Sequence, residues 1–261
     1  VNDNLEYFPS PAYKHAVLRM RGLLHAEKSR LENIAKEKCR EHAFAEDNFE
    51  EELPQIREFS VAYHAAFMRY LAAVLPQHPN GVQCKAGCGN CCHHFPMSVE
   101  PFELVEFYSE VRKRSDLISY LEECHFRTRE YYALLKKGEE LGEEDPEDYA
   151  LIQYFNKSFA CPFILKNGSC GIYPERPVTC RMYFSETPGT FCVPEHLLTE
   201  KNKSFIIYLP DDIEDLIAEV SAHYQELSLP EGLYEGVLAM NAFEQAFAKA
   251  ENSAQENPHV G

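Results

Sequence analysis

Four cysteines within nine residues constrain this chain more than any other feature: Cys84-Lys-Ala-Gly-Cys88-Gly-Asn-Cys91-Cys92, followed by His93 and His94. Thiols at that density cannot all ionise side by side without cations, so they are metallated, oxidised, or protonated and inert. The two-residue gap between Cys88 and Cys91 lets one chain turn present two thiolates to one metal. Gly89 and Asn90 suit that turn because both tolerate positive φ. Cys92 points away from Cys91 to some degree, toward a second face. A second cluster opens with Cys161-Pro162-Phe163 and continues through Cys170, Cys180 and Cys192. The candidate metal ligands are therefore Cys84, Cys88, Cys91, Cys92, Cys161, Cys170, Cys180 and Cys192, enough for two four-thiolate sites or for one site with spares. Cys39 and Cys124 stand apart within helical patterns and read as small core residues. A disulfide network is the oxidised alternative, weakened by the strain of any bridge between adjacent Cys91 and Cys92.

Compartment and charge narrow the chemistry. The stretch from Val1 to Pro9 carries acids and no apolar run, unlike a secretory signal. The helical stretches are too interrupted by charge to cross a bilayer. A cytoplasmic, reducing location is the expectation, and there clustered cysteines hold metal more often than disulfides. Lys and Arg number 25 against 42 Asp and Glu, a formal charge of −17. So acidic a chain repels phosphate backbones, and it shows no basic recognition helix, which argues against nucleic acid and anionic membranes as partners. A protein partner or substrate stays open, as does oligomeric state.

Hydrophobic periodicity predicts helices on both sides of the cysteines. Ser10 and Pro11 suit the start of the first, whose stripe includes Tyr13, Val17, Met20, Leu24 and Leu31. A second is expected over 54–75. A third is expected to be capped by Ser98 and to carry Phe102, Val105 and Tyr108, and a fourth over 116–137 to stop at Gly138. Residues 139–148 hold seven acids in ten and read as a solvated loop. Residues 159–192 lack helical periodicity and are rich in Pro, Gly and Cys. Asn167-Gly168 signals a hairpin turn, and 204–209 one further strand. Two helices close the chain, one after Asp212 and one carrying Leu233, Val237 and Met240, with 251–261 as a frayed tail. The fold class is mainly α: one helical domain over 1–261, with a small irregular cysteine-rich module containing a short β-hairpin. With so little periodic structure, 159–192 must be ordered by metal cross-links or by docking on the helices.

Taken together, Cys84 to Cys92, Cys161-Pro162-Phe163, Gly168-Ser-Cys170-Gly-Ile172-Tyr173 and Arg176-Pro177-Val-Thr-Cys180-Arg181-Met-Tyr183 are distinctive. Over roughly 84–192 the chain resembles the YkgJ-type cysteine-cluster family, described as zinc- or iron-chelating. The namesake spacing is C-x-x-C-x-x-C-C; here three residues separate Cys84 from Cys88. The resemblance implies metal-binding cysteines. Some relatives are flagellin lysine methylases, which use S-adenosylmethionine and have been linked with an iron–sulfur cluster. The resemblance does not extend to the terminal helices.

Four thiolates suit zinc and iron alike. An iron–sulfur cluster is the first choice of cofactor and zinc the second. His93 and His94 are alternative ligands, or solvated imidazoles of a capped turn. Arg176 and Arg181 offset cluster charge, hold an anionic substrate or, as the acid excess favours, make ordinary structural ion pairs; Tyr173 and Tyr183 read as module packing. The alternative function is an enzyme using the centre, a protein lysine methyltransferase or a redox catalyst. No glycine-rich loop after a strand is visible to cradle a methyl donor. The Cys84-x-x-x-Cys88-x-x-Cys91 spacing of radical S-adenosylmethionine enzymes occurs without their usual aromatic before the last cysteine, where Asn90 stands, and without their strand–helix repeat.

Overall fold

Ser10 and Pro11 open the first helix as the sequence predicts, with the Tyr13 amide donating to Ser10 Oγ at 3.1 Å. The computed structural model describes residues 10–38, 49–225 and 230–256, so Cys39 and the end of the tail lie outside the described residues. Helix α1 spans Pro11–Lys38 and is followed by α2 (Phe49–Val74), α3 (Pro101–Val111), α4 (Leu117–Leu141), α5 (Pro146–Asn156), α6 (Asp211–Gln225) and α7 (Leu233–Glu256). Between α5 and α6 lie β1 (Tyr183–Ser185) and β2 (Ser204–Ile206), paired antiparallel with Phe184 opposite Phe205. The fold is mainly α. Among the described residues no helix is long and apolar enough to cross a membrane.

The buried stripe of α1, Val17, Met20, Leu24 and Leu31, packs on α2 and α6. Helix α2 packs on α3, α7 covers α3 and α4, and α5 lies along α4. Aromatic rings lock the centre: Phe102 of α3 meets Phe59 and Tyr63 of α2 edge-on at 5.0 and 5.4 Å. Such pairs add about 0.5–1.5 kcal/mol each beyond their buried area.

Several boundaries differ from expectation, each for a local reason. Helix α2 begins at Phe49 and carries Pro54 inside it; the one backbone bond lost there is small against the apolar stripe from Ile56 to Val74. Ser98 does not cap α3. It occupies a left-handed turn at φ 55°, and Glu100 is the cap, forming a reciprocal box with Glu103 ahead of Pro101. Gly138 does not stop α4, which runs on to Gly142 at φ 71°. A Cβ at Gly138 would stand 3.0 Å from the Tyr149 ring and 3.2 Å from Pro146, so this glycine admits α5 to close contact.

Helix α5 itself was hidden by the acidic run. Those acids are solvated as expected, but they form the last turn of α4 and the first of α5, where Asp145 accepts from the Asp148 amide at 3.0 Å. The Asn167-Gly168 turn forms, with Gly168 at φ 80°, yet joins only a single bridge between Ile164 and Cys170. The paired strands are β1 and β2 instead, and the strand expected over 204–209 is confined to Ser204–Ile206. Residues 251–256, expected as tail, continue α7.

Glu100 makes the cap pH-sensitive. Burial pushes its carboxyl up to about 7 from 4.5, opposed by a hydrogen bond from Ser221. Between those values the folded protein keeps a proton that the unfolded chain has released, so stability falls as pH rises through that window. Glu100→Gln should therefore flatten the pH dependence of the urea midpoint there, a difference of roughly 2–3 kcal/mol across the window. An unchanged slope would show that the carboxyl stays ionised in the fold.

Candidate metal centre

The two cysteine segments meet. Gly89, left-handed at φ 65°, turns the chain into one 3-10 turn, Asn90–His93, that carries Cys91 and Cys92. The Cys161 amide donates to the Cys92 carbonyl at 2.7 Å. A Cβ at Gly168 would collide with the Gly87 carbonyl, so the hairpin turn and the first cysteine loop touch backbone to backbone. From the far side, the turn Gly189–Phe191 rests on the loop. Asn90 Nδ2 donates to the Gly189 carbonyl at 2.5 Å, and a Cβ at Gly189 would stand 2.9 Å from Cys88 Sγ.

The helices hold this module by a few buried anchors. Phe163 packs edge-on against Phe107 of α3 at 4.9 Å and stacks near Tyr120 of α4 at 5.2 Å. Phe95, just after the histidines, stacks on Tyr131 at 4.1 Å and meets Tyr154 and Tyr234 edge-on. Buried Glu103 accepts from the Val178 amide at 2.8 Å while paired with His64 Nε2 at 2.6 Å. Arg181 is buried and ties the 173–176 loop together, donating to the carbonyls of Tyr173 and Pro174 at 2.8 Å and of Arg176 at 2.6 Å. It makes none of the carboxylate ion pairs among the described residues; its role is to satisfy carbonyls, with the Tyr173 ring beneath it at 5.3 Å.

Between these anchors is a cavity of about 350 Å³ lined by Cys91, Cys92, Cys161, Cys170 and Cys180. Phe95, Phe163, Tyr183 and Tyr234 supply apolar wall, and Arg176 the positive charge. Arg176 Nη2 stands 3.7 Å from Cys91 Sγ and also donates to the Cys180 carbonyl. Of the roles weighed for Arg176, its position matches the one that faces the thiols. The Cys92 thiol donating to Cys91, together with Arg176, holds Cys91 well below the ordinary thiol range, and Cys92 is raised in consequence. Burial pushes Cys161 up to about 11 and Cys180 up to about 12. Without metal these two are neutral thiols, and each must release a proton to ligate.

Soft thiols around a roomy, largely apolar cavity with one guanidinium fit a sulfur-ligated metal group. The nine described cysteines are free thiols. Among the described residues, no three His, Cys, Asp or Glu side chains stand close enough together to grip one metal ion. Cys84 is exposed, and with Cys88 and Cys192 it lies outside the cavity wall. Cys124 is fully buried, as a core thiol should be.

His94 is not solvated: it stacks on Phe155 of α5 at 4.0 Å, and burial lowers it to about 4, keeping it neutral. His93 Nδ1 bonds the Ser158 carbonyl at 3.0 Å. Two residues near the thiols escape sequence reasoning. Arg127 is buried with Nε and Nη1 lacking hydrogen-bond partners, over the Phe159 ring at 5.4 Å and within electrostatic reach of Cys161. Its spacing from Glu123 looks like an ordinary surface pair. Tyr234 of α7 touches Cys161 with its hydroxyl, although its sequence position reads only as core.

Residues 83–205 match the CxxCxxCC family, whose model is described as a "putative zinc- or iron-chelating domain". This segment, which contains both cysteine clusters, α3 to α5, β1 and most of β2, is similar to that family. The match reaches slightly beyond the resembling stretch at both ends and leaves α1, α2, α6 and α7 outside. No curated protein and no solved structure matches the chain.

Proposed function

We propose that the cysteines lining this cavity hold an iron–sulfur cluster, making the protein a metal-binding protein whose helical body positions a thiolate-ligated centre. The observation that carries this reading is the cavity itself: about 350 Å³ ringed by five cysteines from both segments. Four sulfurs closing on zinc at about 2.3 Å would stand about 3.8 Å apart and leave no void between them. Here the thiols surround open volume, and none of the described residues group tightly enough for a single ion. That arrangement suits a group several atoms across, whose irons take thiolates at separated corners.

Cys92, Cys161, Cys170 and Cys180 would be ligands facing the cavity, with Cys91, which also lines it, beside Arg176. A cluster so held supplies one-electron chemistry when bound. The protein's own contribution is to exclude water with Phe95, Phe163 and Tyr234 and to balance thiolate charge with Arg176. Under this reading Cys161→Ser and Cys180→Ser should each lose most of the metal that co-purifies with the wild type, while Cys124→Ser keeps it. Circular dichroism on each variant separates ligand loss from unfolding. If the Cys124 variant released metal as fully as the other two, with its helices intact, the assignment of ligands would be wrong.

A further inference from the structure

Helix α2 carries a polar line beside its apolar stripe. Ser60, His64 and Met68 recur every fourth residue and so stand one above another on one side of the helix. Ser60 Oγ donates to Glu106 Oε2 of α3 at 2.5 Å. His64 lies between two carboxylates, with Nε2 2.6 Å from Glu103 Oε1 and Nδ1 3.4 Å from Glu106 Oε2. None of Ser60, His64, Glu103 and Glu106 is more than 5% exposed. Burying two carboxylates and an imidazole between helices costs free energy that an apolar contact would not. Their place calls for a reason beyond helix packing.

The line ends on the turn that carries Cys180. Glu103 Oε1, beside His64, also accepts from the Val178 amide at 2.8 Å. One turn farther along α2, the Met68 sulfur accepts from Arg181 Nη1 at 3.6 Å, and Arg181 in turn binds the carbonyls of Tyr173, Pro174 and Arg176. We infer that Ser60, His64 and Met68 are positioning residues for the centre: acting through Glu103, Glu106 and Arg181, α2 fixes the Cys180 turn before any metal arrives. Helix α2 precedes residue 83, so this hold on the turn comes from beyond the matched segment. The role of Cys180 as a ligand rests on the proposed cavity cluster, whereas the fixed turn rests on these hydrogen bonds alone. Partners that orient a ligand without touching the metal strengthen binding, because less rearrangement remains to be made on ligation.

The test compares three variants of the full-length protein. His64→Leu keeps the side-chain bulk but no donor, and His64→Gln keeps an amide that can donate to Glu103. Ile213→Ala is a general core truncation at a fully buried site in α6, whose main neighbour is α1. In reduced, metal-stripped protein, alkylation of each cysteine by iodoacetamide is followed by peptide mapping. His64→Leu should label Cys180 about tenfold faster than wild type or more, with Cys170 unchanged. His64→Gln should restore most of the protection, and Ile213→Ala should keep the wild-type pattern. In loaded protein, His64→Leu should lose metal to a chelator about ten- to a hundredfold faster. Unchanged Cys180 labelling in a folded His64→Leu, equal acceleration of every cavity thiol, or the same change in Ile213→Ala would overturn the inference. If His64→Leu fails to fold, amide exchange on the stripped wild type decides: the bonded amides of Val178, Cys180 and Arg181 should exchange far more slowly than residues 186–203, and equal exchange overturns it. A wild type without thiol-bound metal would end the cavity reading, while the labelling still decides whether α2 holds the turn.

Discussion

Replacing Phe163 with alanine should destabilise the protein by about 3–5 kcal/mol, a large share of the about 5–15 kcal/mol that holds a typical domain. Phe163 is 2% exposed and is gripped from two helices at once, Phe107 of α3 and Tyr120 of α4. Truncation leaves a ring-sized void beside the cavity, and the hairpin that follows cannot collapse into it. The Phe163 carbonyl accepts from the Gly171 amide at 2.8 Å, the Leu165 amide donates to Ser169 at 2.8 Å, and the turn is wedged against Gly87. Because Cys161 lies two residues away, the same change should loosen metal. Urea unfolding of loaded and metal-stripped protein, with metal content measured alongside, separates the two effects. A loss below about 1 kcal/mol would mean that the module is docked by something other than this ring.

Stripping the metal should leave the helices intact and open one segment in particular. The helical body has its own contiguous buried core, from Met20 and Tyr63 to Val237, and needs no cross-link. From the cysteine module, Phe163, Ile172 and Val178 join that core, so 163–181 keeps its anchors without metal. Residues 186–203 contribute no residue to that core. Their described order rests on short turns and a few bonds such as the Glu186 amide to the Lys203 carbonyl at 3.0 Å. Chelation should therefore speed tryptic cleavage after Lys201 and Lys203 many-fold while most of the far-ultraviolet helical signal remains. Sequence reasoning would spread that sensitivity over all of 159–192; the anchors narrow it to the segment after β1. Complete loss of helix would show that the centre organises the whole fold, and an unchanged cleavage rate that it is an accessory to a self-sufficient surface.

The helices were legible because their stripes are long and regular: Val17 to Leu31 and Ile56 to Val74 announce themselves by spacing alone. The cysteines were legible by their density. What stayed hidden depends on contacts between distant residues. Gly138 reads as a stop until Tyr149 and Pro146 are placed against it. Helix α5 vanishes into an acidic run because only Ala150, Tyr154 and Phe155 are buried along it. Ser98 outranks Glu100 as a cap on residue preference, and only the buried Glu103 box and Ser221 reverse the order. At the site, composition says that eight thiols gather, but not which face the cavity. That depends on the 3-10 turn that brings Cys91 and Cys92 to the cavity together, and on Gly89, Gly168 and Gly189 allowing three loops to touch.

The most direct test of the cavity cluster is iron, zinc and acid-labile sulfide analysis of anaerobically purified protein, with its visible absorption before and after dithionite. The account predicts iron with a comparable amount of sulfide and a visible absorption that dithionite bleaches, all diminished in Cys161→Ser. Stoichiometric zinc without sulfide, in a protein with no visible absorption, would contradict it.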